Sequence, residues 1–132
     1  VEDLDTAVSE ADIISCVTMS DKPLVNGKCL RPGTHLDLVG AYLPTMREAD
    51  NEAIRRSIVF TDTKGNMRNG GDLSQAVAAG VISWDDVRAD LFDLIQGRTS
   101  GRMTDDEITL FKNNGGAHLD VFAAAALLKA VS

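Results

Sequence analysis

The sequence predicts an α/β fold, a mostly parallel sheet with flanking helices, on three observations. Three short apolar runs rich in β-branched residues read as buried strands, and stretches of helical periodicity lie between them. The composition of the 132 residues, 44% hydrophobic and 25% charged, is that of one globular core.

The opening VEDLDTAVSEAD is acidic, lacks the apolar core of a secretion signal and reads as a helix already under way. The chain is therefore expected to start inside a larger protein. Residues 13–17 are the first strand. Residues 36–39 are the second, entered through Pro32-Gly33 and left through Gly40. Residues 50–56 read as a short helix, and residues 58–60, ending at Thr61-Asp62, are the third strand. Asp72 with Gln75 reads as a capping pair for a helix that Gly80 stops. Ser83 with Asp86 repeats that device, and Trp84, Val87, Leu91, Leu94 and Ile95 then recur at helical spacing up to Gly97. Asp86, Asp90 and Asp93 would share another face of that helix, where acids are ordinarily solvated. Residues 104–107 read as a turn leading into a strand at 108–111. Residues 117–131 form a helix apolar nearly all round, which must pack under other elements or against further protein.

Several function classes are excluded. A net charge of -7 opposes nucleic acid and anionic membranes, both of which reward clustered Lys and Arg. The longest apolar run, residues 121–128, is too short to cross a bilayer. Cys16 and Cys29 have neither metal nor redox spacing. Cys16 should be a small buried hydrophobe, and such thiols suit a reducing, cytoplasmic compartment. His35 and His118 lack ligand partners at metal-site spacing, so each is expected to be structural and no metal site is expected. No G-x-G-x-x-G or G-x-S-x-G is present, and Gly27-Lys28 is no phosphate loop.

What remains is a set of strand ends. Val17-Thr18-Met19-Ser20 closes the first strand, and Val39-Gly40-Ala41-Tyr42 closes the second with a glycine that lets a ligand approach the backbone. Asn113-Asn114-Gly115-Gly116 precedes the last helix. Parallel sheets bind ligands at such carboxyl ends. By spacing alone, a binding site and a set of plain turns account for these segments equally well.

The succession ADIISCVTMS, RPGTHLDLVGAYLPTMREAD, VFTDT, NGGDLSQAVAAGVI, GRTSGRMTDDEITLFKN and GGAHLDVFAAA resembles, in order and over essentially the whole chain, the ornithine cyclodeaminase/mu-crystallin family. The resemblance implies a Rossmann-type nucleotide domain joined to a separate dimerisation and substrate domain. Residues 1–132 would be the carboxy-terminal part of the NAD(P)-binding domain, incomplete here, with residues 117–131 as a closing helix. The family's phosphate loop, its ribose-reading residues and its carboxylate-binding Lys and Arg would precede the matched region. The chain alone is thus expected to be inactive, and the choice between NAD and NADP is not encoded in it.

Carried over by position, Thr18, Met19 and Ser20 would lie along the cofactor near the nicotinamide ribose. Val39, Gly40 and Ala41 would back the nicotinamide ring. Lys112, Asn113 and Gly115 would border its carboxamide from the loop before the last helix, although the family often has Ser where Asn113 stands. Tyr42 occupies the place of an Asp that assists proton transfer in ornithine-deaminating members. A phenol is a poor general base at neutral pH but can donate a hydrogen bond to an imine or carboxylate, or simply fill the pocket wall.

The implied function is NAD(P)H-dependent reduction of a cyclic imino acid of the pyrroline-carboxylate type. Ornithine cyclodeamination is the alternative, and cofactor or small-molecule binding without turnover, as in mu-crystallin, is a third. The implied partners are a small amino-acid or imino-acid substrate and, in the full-length protein, a second copy. Arg47 and Glu48 are expected to anchor their loop, and Asp62 and Asp120 to be structural.

Overall fold

The computed structural model describes residues 3–131. Among them, five strands form one sheet in the order β1-β2-β5-β3-β4, every pairing parallel. The strands are β1 (Ile13–Cys16), β2 (His35–Leu38), β3 (Ser57–Thr61), β4 (Val87–Asp90) and β5 (Ile108–Lys112). The helices are α1 (Leu4–Glu10), α2 (Asn51–Arg56), α3 (Gly71–Ala78), α4 (Leu91–Ile95) and α5 (Ala117–Val131). The sequence thus predicts β1, β2, β3 and β5 to within a residue or two at each end.

One face of the sheet is covered. Leu36, Leu38, Val59, Val87, Ile108 and Leu110 point to it and join Val8 of α1, Ala53 and Ile54 of α2, and Leu73 and Ala76 of α3 in one core. Short helices this size are marginal alone, so caps and packing decide them. Asp3 caps α1 by accepting from the Thr6 amide at 3.1 Å, and Asp50 caps α2 through the Ala53 amide at 2.8 Å. The opposite face carries His35, Phe60, Thr109 and Phe111, which with Leu94, Gly101 and Arg102 line an open groove. His35 is structural here: its Nδ1 meets the Thr109 hydroxyl at 2.8 Å.

Two expectations are corrected. The helix predicted from Trp84 to Gly97 is instead a single 3-10 turn, Trp84–Asp86, then β4, then α4. The Ser83–Asp86 capping box does form. Beyond it, Val87 and Ala89 alternate inward with Arg88 and Asp90, a two-residue period that the three-and-four spacing of the apolar residues concealed. Pairing with the open edge of β3 satisfies backbone groups on both strands, and this outweighs the helical pattern. Asp86, Asp90 and Asp93 therefore share no helix face; Asp90 caps α4, and Asp93 pairs with Lys64 and Arg98.

Second, Asp72 caps nothing. The cap of α3 is Gly70, and the Asp72 side chain turns inward, fully buried. Of the two settings expected for α5, packing under other elements of this chain is not the one observed. Its first turn leans on α4, with the His118 ring against Phe92, but Val121, Phe122, Leu127 and Val131 are exposed. No helix of the described residues is long and apolar enough to cross a membrane.

Candidate active site

Because all five strands run the same way, their carboxyl ends come level. Cys16 pairs with Leu38, Leu38 with Lys112, Lys112 with Thr61 and Thr61 with Asp90, a straight row across the sheet. The segments just beyond that row, scattered over a hundred residues of sequence, therefore emerge side by side. They include Thr18, Gly40 and Asn113. The Val39 amide donates to the Cys16 carbonyl at 2.8 Å, and the Asn113 amide to the Leu38 carbonyl at 2.9 Å, so the β1, β2 and β5 tips are stitched together.

Three buried carboxylates hold this end of the sheet. Glu48 accepts from the Thr18 amide (2.6 Å) and hydroxyl (2.8 Å) with Oε1, and from the Gly40 (2.8 Å) and Ala41 (3.3 Å) amides with Oε2. Asp62, at the tip of β3, accepts from the Asn114 amide at 3.2 Å and side-chain nitrogen at 3.3 Å, fixing the loop before α5. Asp72 accepts from the Glu48 amide at 2.8 Å and the Ala49 amide at 3.2 Å, while its other oxygen meets Lys112 Nζ at 3.2 Å. Glu48, Asp62, Asp72 and Lys112 are all fully buried. Glu48 as a loop anchor and Asp62 as a structural acid agree with the sequence reading. The place of Asp72 had no local signal.

The predicted site residues divide into those whose side chains remain available and those used internally. Met19 and Tyr42 are exposed, 72% and 51%, and with Val17 and Leu43 form an apolar rim over the strand tips. Thr18, Val39 and Gly40 are half-buried along the floor, and Ala41 is buried beneath it. Ser20 spends its hydroxyl in its own turn, donating to the Lys22 carbonyl at 2.7 Å. Asn113 turns its side-chain oxygen to the Gly115 amide at 2.8 Å, shaping the loop from within. Lys112 is not part of that loop: it ends β5, and its ammonium lies in the core against Asp72, so only its backbone can border a ligand.

The Tyr42–Met46 segment is fixed from behind by α3. The Gly71 amide donates to the Ala41 carbonyl at 3.0 Å, and Gln75 Nε2 donates to the carbonyls of Pro44 (2.8 Å) and Met46 (3.1 Å). Tyr42 thus stands on a braced loop. No cluster of three metal-ligating side chains occurs among the described residues. The groove lined by Phe60 and Phe111 lies on the sheet face opposite the main core and contains none of the predicted site residues.

The buried acids also govern a thiol. Burial, then the charges of Glu48, Asp72 and Asp37, push the Cys16 thiol up to about 11, whereas Lys112 opposes them weakly. The thiolate is the reactive form, so Cys16 should resist alkylation at neutral pH. In native protein at pH 7.5, iodoacetamide is expected to leave Cys16 unmodified for as long as the fold persists and to label it on adding denaturant. Rapid native labelling of Cys16, read by peptide mass, would contradict this environment.

Comparison with known proteins gives a consistent set of relatives. The sequence model of the ornithine cyclodeaminase/mu-crystallin family matches residues 1–131. A Delta(1)-pyrroline-2-carboxylate reductase of Paracoccus denitrificans is 41% identical over 100% of this chain, which spans 42% of that protein's length. Among solved structures, the Delta(1)-pyrroline-2-carboxylate reductase of Thermococcus litoralis, in complex with NADH and L-proline, superposes with a TM-score of 0.84 at 35% identity, over 87% of this chain and 36% of that one. An archaeal alanine dehydrogenase dimer with bound NAD gives 0.85 at 34% identity, over 93% of this chain and 38% of that one.

Proposed function

Because the chain belongs to the ornithine cyclodeaminase/mu-crystallin family, we propose that it is the carboxy-terminal part of the nucleotide-binding domain of an NAD(P)H-dependent reductase. Its substrate would be a cyclic imino acid of the pyrroline-carboxylate type. One observation carries the reading: Thr18, Gly40 and Asn113 meet at one end of a parallel sheet, under an exposed apolar rim. The likeness over this chain to reductases of pyrroline-2-carboxylate supports it.

The residues present fit the nicotinamide half of NAD(H) or NADP(H). A Cβ on Gly40 would lie 1.6 Å from the Thr18 carbonyl oxygen, so glycine is what lets the β1 and β2 tips close into one floor. Val39, Gly40 and Ala41 would back the ring, and Thr18, Met19 and Ser20 would follow the ribose. Asn113, Gly115 and the Lys112 backbone would border the carboxamide. The cofactor, when bound, supplies hydride to the imine carbon.

The chain's own part is geometry and shielding. The apolar rim of Val17, Met19, Tyr42 and Leu43 would exclude water from the reacting face. The Tyr42 hydroxyl would donate to the imine nitrogen or to the substrate carboxylate. With Tyr42 where deaminating members carry an acid, the residues favour reduction over water attack and cyclodeamination. The full-length protein would be a homodimer, in keeping with the alanine dehydrogenase dimer, and two free thiols suit a reducing, cytoplasmic setting.

The test is cofactor consumption by the full-length protein. With pyrroline-2-carboxylate as substrate, NADH or NADPH absorbance should fall steadily, one equivalent per imine reduced. Ammonia release from ornithine without net cofactor change would replace the reductase reading by cyclodeamination. Tight cofactor binding with neither activity would leave only a binding role.

A further inference from the structure

The geometry points to Glu48 as a positioning residue for the nicotinamide end of the cofactor, a role resting on the reductase reading above. Its side chain gathers four donors from two loops that are more than twenty residues apart in sequence: the Thr18 amide and hydroxyl, and the Gly40 and Ala41 amides. These two loops are the floor of the candidate site, and Glu48 is their only shared side-chain clamp among the hydrogen bonds of the described residues. An ionised carboxylate is acceptor-only with about four lone-pair sites, so four converging donors match it and match no neutral side chain.

The position of the carboxylate is itself fixed. Asp72 accepts from the amides of Glu48 and Ala49, and its second oxygen meets Lys112, which ends β5 next to Asn113. The β1 and β2 tips are thereby referenced to the β5 tip through Glu48, Asp72 and Lys112. Burying two acids and one base is expensive, and an apolar side chain at position 48 would leave three backbone amides and one hydroxyl without their acceptor. Nor could such a side chain hold the two separate loops at set distances. Hydride transfer needs that constancy, because an error of about 1 Å in the reacting geometry can cost about a hundredfold in rate.

The experiment compares two ligands on full-length wild type, Glu48→Gln and Glu48→Asp. ADP carries the adenosine and pyrophosphate of NADH but neither the nicotinamide nor the ribose that bears it. Glu48→Gln replaces one acceptor oxygen with a donor that faces amide N–H groups, and Glu48→Asp keeps the charge but is one methylene too short to reach both loops. Positioning predicts that NADH affinity falls about tenfold or more in Glu48→Gln while ADP affinity stays within about twofold. It further predicts that kcat falls by about a hundredfold, with a larger primary isotope effect from NADH deuterated at the transferred position. Glu48→Asp should lie between the two.

Equal losses for both ligands, or unchanged values for both, overturn the proposal. So does failure of both variants to fold, which would make Glu48 a requirement of the fold itself. Wild type that binds NADH but reduces no imine defeats the reductase reading alone, since the two-ligand comparison still reports on Glu48. Wild type that binds neither ligand defeats both.

Discussion

Substituting Gly40 with alanine should remove cofactor binding almost completely. The reason is space, because Gly40 has no positive φ and alanine could adopt its backbone. An added Cβ would lie 1.6 Å from the Thr18 carbonyl oxygen, 2.3 Å from the Thr18 nitrogen and 2.5 Å from Glu48 Oε1. Two of those three atoms are backbone, held by the β1–β2 ladder and by Glu48, so no side chain can swing clear. The β1 and β2 tips must separate, and the Glu48 clamp opens with them. Overpacking typically costs about 1–3 kcal/mol, and contact with fixed backbone puts this case at the upper end. In the full-length protein, NADH affinity is expected to fall by more than about a hundredfold, with a fall in Tm. A Gly40→Ala protein with wild-type Tm and NADH affinity would show that the two tips are not packed as described.

The second large effect is expected at Lys112, through stability. Its ammonium and the Asp72 carboxylate are both wholly buried, and they meet at 3.2 Å as an ion pair, without the alignment of a hydrogen bond. Lys112→Met retains the stem's volume but leaves Asp72 charged in the core with only the Glu48 and Ala49 amides to stabilise it. Breaking a buried pair from one side costs about 3–5 kcal/mol, a large part of a typical domain's margin. The double variant Asp72→Asn, Lys112→Met removes both charges and should recover a substantial part of that loss. Urea unfolding of the three proteins tests this. A Lys112→Met midpoint equal to wild type, or a double variant less stable than Lys112→Met, would contradict the pairing.

These two residues mark the limits of what was legible in the chain. Gly40 stood out because a glycine directly after an apolar strand is a local signal, and the family resemblance assigned it to the nicotinamide. Lys112 was assigned to the same site by position, but the register shows that it belongs to the strand, with its side chain in the core. Asp72 offered a capping pattern with Gln75, and both side chains serve other segments: Asp72 the backbone at 48–49, Gln75 the carbonyls at 44 and 46.

By itself, the sequence determined the α/β class, four of the five strands, the family and the order of the strand-end segments. Each of those is written in residues close together along the chain, as apolar runs, caps and motif succession. Only the tertiary structure decided that residues 87–90 are a strand, since their apolar spacing fits a helix as well and the open edge of β3 chose between them. It also decided which buried charges meet. Glu48, Asp72 and Lys112 are separated by up to 64 positions, and they meet because the loop before α2, the start of α3 and the end of β5 pack together at one end of the sheet. Local pattern fixes what a segment can become; the partners left with unsatisfied backbone and charge fix what it does become.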